Sequence, residues 1–503
     1  MRENIYRALA GILCLGILFV LLSGRPAWAA QAENDTEEQD AEDISSHHTI
    51  THNIGLVEDT LFDDQKHFGC IAEGGAQFTA GHEKGIGSIY IIFQYEYGPY
   101  EVTNNDTGET TTVGHERFIH QFLDMQELFG SCPKSVTVRL EEGPVAINDL
   151  KIFTPGKVPD YVQKWKLPKE NETDLILFST HADDEHLFFA GLLPYYGAEL
   201  DYEVLVVYLT GHQNFNLIRT HELLNGLWAV GIDTYPIIGT FTDFRKPTVQ
   251  ETYACFKQFG ETKEMILEYV VEQVRRFKPK VVVAHDFAGE YGHGQHMVYA
   301  EVVAEALEIT SDPALYPELA EKYGVWDIPK AYFHLYEENE IILDWDRPLS
   351  RFGGETAFEV SIYRGFQMHE SQVEAFRWYY AGFPDAKSLP EYNPCYFGLY
   401  RSTVGPDTEK NDFFENVTTY EQDRLAEEAR QSAQTQTQPK AEEDVTPTPG
   451  EQSHREMRKH METQTAGTPI PGKNAQTTVL IIMAVLAAGC ALLGCLRRKK
   501  KKR

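Results

Sequence analysis

The chain is 503 residues long, 42% hydrophobic, and carries 76 acidic against 45 basic residues, for a net charge of −31. Such a surplus of negative charge disfavours nucleic acid and anionic polymers as partners. It reads as solvation of a folded surface rather than as a binding code.

Residues 1–29 read as a signal peptide: Arg2 and Arg7 give a basic start, 8–22 an apolar core, and Ala27-Trp28-Ala29 a small-residue cleavage site. An uncleaved N-terminal anchor is the alternative. Residues 30–47 are acidic and lack aromatics, so they are expected to be disordered. Over 48–160 short β-rich runs take over: 88–95, 135–140 and 149–153 read as strands and 104–108 as a turn. No long helical period interrupts them, so a β-sandwich domain is expected, faintly similar to discoidin-like or carbohydrate-binding jelly rolls. It is either a glycan-binding module or a structural domain packed on the next one.

Residues 170–417 alternate apolar strands with amphipathic helices. Strands are expected at 202–209 and 235–239, and helices at 216–230, 262–277 and 297–308. This repetition implies an α/β domain, a Rossmann-like mainly parallel sheet with flanking helices. Two clusters of polar residues lie where buried strands should end. The run Leu175-Ile176-Leu177-Phe178 leads into Thr180-His181-Ala182-Asp183-Asp184-Glu185-His186, and Lys280-Val281-Val282-Val283-Ala284 leads into His285-Asp286 and Glu290-Tyr291-Gly292-His293-Gly294-Gln295-His296. Open α/β sheets place their chemistry just past the carboxyl ends of such strands. Asp183 or Asp184 capping a helix that begins near Leu187 is the alternative. A catalytic zinc site takes three protein ligands and leaves a position for water. His181, one of Asp183 and Asp184, and one of His293 and His296 make such a set. Asp243, in Thr242-Asp243-Phe244-Arg245 after the third strand, is expected to line the same mouth, contacting a sugar hydroxyl or capping a helix. His369 and Gln372 are expected in the pocket wall.

Residues 418–476 are rich in Gln, Thr, Glu and Pro and read as a linker or stalk, with a short helix at 421–430. Residues 477–496 are apolar over about the length that spans a bilayer. The basic tail 497–503 then places the C-terminus in the cytoplasm and the body outside. Of seven cysteines, Cys70, Cys132, Cys255 and Cys395 lie in that outer body, where disulfides are permitted. Cys70–Cys132 and Cys255–Cys395 are the favoured pairs, with free buried thiols as the alternative.

The cluster at 180–186 resembles the His-Pro-Asp-Asp-Glu signature of the PIG-L (LmbE-like) N-deacetylases, and 291–296 resembles their Tyr-Gly-His-Pro-Asp-His segment. Arg219-Thr220-His221-Glu222-Leu223 and His369-Glu370-Ser371-Gln372 match further segments in the same order. The resemblance implies an enzyme that removes acyl groups from N-acylated sugars, N-acetylglucosamine among them. It implies Zn2+, or another divalent transition metal, on His181, Asp184 and His296, with Asp183 as general base. It further implies a cationic His293 and the Tyr291 hydroxyl facing the oxyanion, and Arg219 anchoring substrate. Two departures stand out. Ala182 replaces proline, which should loosen the turn holding His181. Gly294-Gln295 replaces Pro-Asp, removing a carboxylate that would orient His293 or His296 from behind. The expected function is that of an extracellular, membrane-anchored, zinc-dependent N-deacetylase acting on an N-acylated sugar or surface glycan. A metal-dependent amidase on another acyl amide, or a surface glycan-binding or adhesion protein built on a deacetylase-like scaffold, are the alternatives.

Overall fold

The computed structural model describes residues 39–46, 49–54, 58–64, 69–212 and 218–437. The expected signal peptide, the linker beyond 437, the apolar run 477–496 and the basic tail lie outside the described residues. Among the described residues no helix is long and apolar enough to cross a membrane.

The first nine strands form two antiparallel sheets. One has the order β1 (Ile50–His52), β3 (Ala76–Gly81), β8 (Ser135–Leu140), β5 (Tyr100–Asn104), β6 (Glu109–Val113). The other has the order β2 (Cys70–Ala72), β9 (Val145–Phe153), β4 (Ser88–Phe93), β7 (His120–Asp124). Strands β3, β5 and β8 alternate buried with exposed or half-buried residues, the period of a sheet with one wet face. Their inward side chains, Phe78, Val102 and Val138, share one apolar cluster with Ile89, Ile91 and Phe93 of β4. Strand β4 is buried throughout because its other face, Tyr90 and Ile92, packs on Phe153, Val158 and Val162. Part of the acidic segment expected to be disordered is tied down. Ala41 N–H donates to Lys157 O and Ile44 N–H to Ile152 O, so residues 39–46 run along the end of β9.

A seven-stranded sheet follows, in the order β12 (Ile237–Phe241), β11 (Val204–Thr210), β10 (Leu175–Ser179), β13 (Val281–Ala284), β14 (Lys330–His334), β16 (Tyr396–Ser402), β15 (Glu340–Ile342). Strands β10 to β14 pair in parallel, and β16 is antiparallel to both its neighbours. Strand β10 is covered on both faces: Leu175 and Leu177 enter one apolar cluster, Ile176 and Phe178 another. Each such buried side chain contributes roughly 1.5–3 kcal/mol. In chain order the parallel strands lie 3-2-1-4-5, so the order reverses between β10 and β13. The crevice beyond the carboxyl ends at such a reversal is where open sheets receive ligands.

The flanking helices have local causes. Helix α1 (Asp184–Leu187) is a single turn after β10, and α2 (Ile218–Ala229) follows β11. Helices α3 (Val249–Gln258) and α4 (Lys263–Phe277) start at Thr248 and Thr262, whose hydroxyls accept from Glu251 N–H and Met265 N–H. Helix α5 (Gly294–Ile309) follows β13, and α6 (Tyr420–Thr437) is longer than the short helix expected at 421–430. The antiparallel sheets meet α2 and its C-terminal connection through Phe118 stacked on Tyr235 at 4.5 Å and His120 Nε2 2.9 Å from His221 Nδ1.

The favoured disulfides are not formed: Cys70 is not joined to Cys132, nor Cys255 to Cys395. The members of each pair sit on separate elements. Cys70 lies in β2, with Sγ 3.0 Å from Thr60 Oγ1, whereas Cys132 lies in the turn before β8; Cys255 lies in α3, whereas Cys395 precedes β16. Burial pushes the Cys395 thiol up to about 12.

Candidate active site and metal centre

The two polar clusters converge at the reversal between β10 and β13. His181 Nδ1 lies 3.1 Å from Asp184 Oδ2 and 3.1 Å from His296 Nε2, and His296 Nε2 lies 3.2 Å from Asp184 Oδ2. All three residues are buried. What surrounds them fixes which ring nitrogen carries the proton. His296 Nδ1 is 2.7 Å from Glu290 Oε2, an acceptor, so its hydrogen points there and Nε2 presents a lone pair to the centre. His181 Nε2 faces Gln295 Oε1 at 3.2 Å and Asp243 Oδ1 at 3.5 Å, which leaves Nδ1 as the inward lone pair. Two imidazole lone pairs and a carboxylate at these distances repel one another unless a cation lies among them. Burial opposes charge on His181 and His296, yet Asp184 holds both imidazoles above their ordinary value and is itself held well below the usual carboxylate range. Asp184 Oδ1 is buried without a hydrogen-bond partner among the described residues. The donor set of two imidazoles and a carboxylate, with an orphaned oxygen, fits a divalent metal. Two overlapping groups extend the possibilities: His181, His293 and His296, and Asp184, His285 and His296, each have ligand atoms within 4.8 Å of one another. His285 Nε2 already accepts from Thr180 N–H at 3.0 Å.

Asp183 stands beside this triangle with φ 126° and ψ −30°, and its side chain makes no helix-capping hydrogen bond. A non-glycine residue there is strained, and such strain gathers at functional sites. Burial pushes its carboxyl up to about 8, against the lowering by Arg219, while Asp184 and Glu185 add to the rise. Arg219 Nη2 lies 3.1 Å from Asp183 Oδ2 and also donates to the Ala182 carbonyl. This guanidinium, expected to anchor substrate, is itself buried and holds Asp183.

His293 caps α5, its Nδ1 accepting from Gln295 N–H at 3.2 Å, so its hydrogen sits on Nε2. Burial, then His181 and His296, push it down to about 2. That shift opposes the cationic form expected here. Tyr291 is half-buried at φ 43°, with its ring 5.5 Å from those of both His293 and His296 and the Arg245 guanidinium 5.0 Å above it. Asp243 is partly exposed and bridges His181 and His212, with Oδ2 3.2 Å from His212 Nδ1.

Both departures from the family pattern are used. Ala182 N–H donates to His212 Nε2 at 3.2 Å, a bond that proline could not make, so the turn expected to be loose is pinned. Gly294 N–H donates to Lys246 O at 2.7 Å, and a side chain there would lie 2.7 Å from that same oxygen. Gln295 orients His181 rather than His293 or His296, and it is held by Phe244 N–H and Thr242 O at 3.0 and 2.8 Å.

Sequence reasoning assigned no role to Glu290, His212 or His334. Glu290 accepts from His285 Nδ1 at 2.9 Å as well as from His296, and its other oxygen lies 2.7 Å from His334 Nδ1. It supplies from behind the carboxylate that the missing aspartate would have given. His369 is fully buried beside Glu185 and His186 rather than in an open wall. Ser371 anchors its segment through Glu222, at 2.7 Å from its amide and 2.6 Å from its hydroxyl.

The family profile described as PIG-L, GlcNAc-PI de-N-acetylase, matches residues 176–307. The chain is 27% identical over 204 residues to a 1D-myo-inositol 2-acetamido-2-deoxy-alpha-D-glucopyranoside deacetylase 1 of Catenulispora acidiphila, an alignment covering 37% of this chain and 62% of that one. It is 22% identical over 293 residues to the deacetylase of the same substrate from Streptomyces scabiei, covering 48% and 89%. The chain thus spans less than two thirds of the first relative and most of the second. Among solved structures it is similar to the N,N'-diacetylchitobiose deacetylase of Pyrococcus horikoshii, at 12% identity and a TM-score of 0.30, covering 46% of this chain and 84% of that one.

Proposed function

Given that residues 176–307 are a PIG-L family domain, we propose that the protein is a zinc-dependent hydrolase that removes an acetyl group from an N-acetylated sugar or glycan. The observation that carries this reading is the 3.1–3.2 Å triangle of His181 Nδ1, Asp184 Oδ2 and His296 Nε2, with Asp183 beside it. A divalent ion held by these three residues would supply Lewis acidity and acidify the attacking water.

The rest falls to the chain. Asp183, a buried carboxylate that burial holds above its ordinary value, takes a proton from water and returns it to the departing amine. Arg219 fixes the Asp183 carboxylate at 3.1 Å. His293 Nε2–H and the Tyr291 hydroxyl donate to the oxyanion as the amide carbon becomes tetrahedral. Asp243, the partly exposed acid at the rim, accepts from a sugar hydroxyl. The stretch 477–503 of the sequence, an apolar run followed by a basic tail, supports a membrane-anchored enzyme facing outward, with 48–160 as a β-sandwich domain packed on the catalytic one.

The test is acetate release by the full-length protein from a panel of N-acetylated saccharides and simple acyl amides, metal-loaded and metal-stripped. Metal-dependent release from the saccharides is expected. Release from the simple amides alone would move the assignment to a general amidase.

A further inference from the structure

One residue beyond Asp184, a second set of metal-ligating side chains is closed off from solvent. Glu185, His186 and His369 are each 0% exposed. Glu185 Oε1 lies 3.4 Å from His186 Nε2 and 3.4 Å from His369 Nε2. Glu185 Oε1 and both ring nitrogens of each histidine lack a hydrogen-bond partner among the described residues. Buried polar groups are nearly always satisfied, and five orphaned atoms in one place call for a missing partner.

The backbone around them leaves space. A side-chain carbon at Gly226 of α2 would sit 2.7 Å from His186 Nε2 and 2.7 Å from His369 Nε2, and 3.2 Å from the Gly365 carbonyl. A side chain at Gly365 would collide with His186 Nδ1. Gly226 therefore faces both Nε2 atoms where any other residue would close the gap, and Gly365 makes room for the His186 ring itself. Ligands about 2.1 Å from a common ion at a tetrahedral angle lie about 3.4 Å apart, which is the spacing of Glu185 Oε1 from each Nε2.

We propose that Glu185, His186 and His369 form a second, enclosed metal site that takes a zinc-class divalent transition ion through Glu185 Oε1, His186 Nε2 and His369 Nε2. Two imidazoles and one carboxylate suit zinc and its neighbours, whereas calcium and magnesium demand mostly oxygen ligands. With no solvent access the ion is structural. It fastens the segment around His369 to the turn carrying the catalytic aspartates, because the other oxygen of Glu185 accepts from Asp183 N–H at 2.9 Å.

The experiment titrates the metal-stripped full-length protein with Co2+, reading visible absorption and the ions retained per chain after desalting. Two ions per chain are expected for the wild type. His181→Ala/His296→Ala, which leaves the second cluster untouched, should keep one ion with tetrahedral absorption. His369→Gln on that background should keep none. A folded His181→Ala/His296→Ala protein that retains no ion overturns the proposal; this arm decides even if His369→Gln fails to fold. A wild type that binds a single ion, kept by the double variant, supports the second site and instead defeats the metal reading of the catalytic one.

Discussion

Glu290 and Glu185 are both fully buried carboxylates set among imidazoles near the carboxyl edge of one sheet, yet their hydrogen bonding is opposite. Every oxygen of Glu290 is used: Oε2 accepts from His285 and His296, and Oε1 faces His334 and Asp286 N–H. Among the described residues Glu185 Oε1 has no hydrogen-bond partner, and the imidazoles 3.4 Å away have none either. A satisfied buried network rigidifies what it touches, and an unsatisfied one is costly until something enters it. The first cluster therefore positions a ligand for the chemistry, while the second has the form of a ligand set in its own right.

Four substitutions break or sharpen this contrast. Glu290→Gln replaces an acceptor shared by three imidazoles with a group that must donate to one of them. It should cost about 3–5 kcal/mol in chemical denaturation, and metal affinity should fall about 10–100-fold in chelator competition. Gln295→Ala removes the acceptor behind His181 and strands Phe244 N–H and Thr242 O, for about 1–3 kcal/mol and roughly tenfold weaker metal binding. Arg219→Gln tests the counter-ion of Asp183 through the pH profile of kcat/KM. Activity requires Asp183 ionised, so the acidic limb rises as its proton is lost. Arg219 lowers that pKa, so its removal should move the limb to higher pH by about one unit, or ~1.4 kcal/mol. An unmoved limb would mean that Asp183 is not the titrating base. Glu185→Gln is the smallest: in metal-free protein its amide can donate to an orphaned ring nitrogen, and stability should change by no more than about 1 kcal/mol.

Much of this was legible where burial and periodicity dominate. Strand β8 has the expected bounds, and β10 and β13 end where apolar sequence gives way to His181 and His285. His212 and His334 lie just after or at the end of β11 and β14 and carried the same signal, but a single histidine after a strand does not announce its partner. Glu290 was opaque for a different reason. Its role depends on imidazoles from the ends of two strands and the start of a helix meeting at one carboxylate, which no local pattern encodes. Ala182 was read as a loss of rigidity and Gly294-Gln295 as the loss of a carboxylate, whereas Ala182 and Gly294 each contribute an amide hydrogen bond that proline lacks. The disulfide pairing failed because compartment and parity say nothing about which sulfurs approach each other.

The most direct test of the account is acetate release from the best N-acetylated saccharide by Asp183→Asn, compared with wild type at equal, measured metal content. The account predicts a fall in kcat/KM of about 10²–10⁴-fold with the metal still bound. Release within a few-fold of wild type, at unchanged metal content, would contradict it.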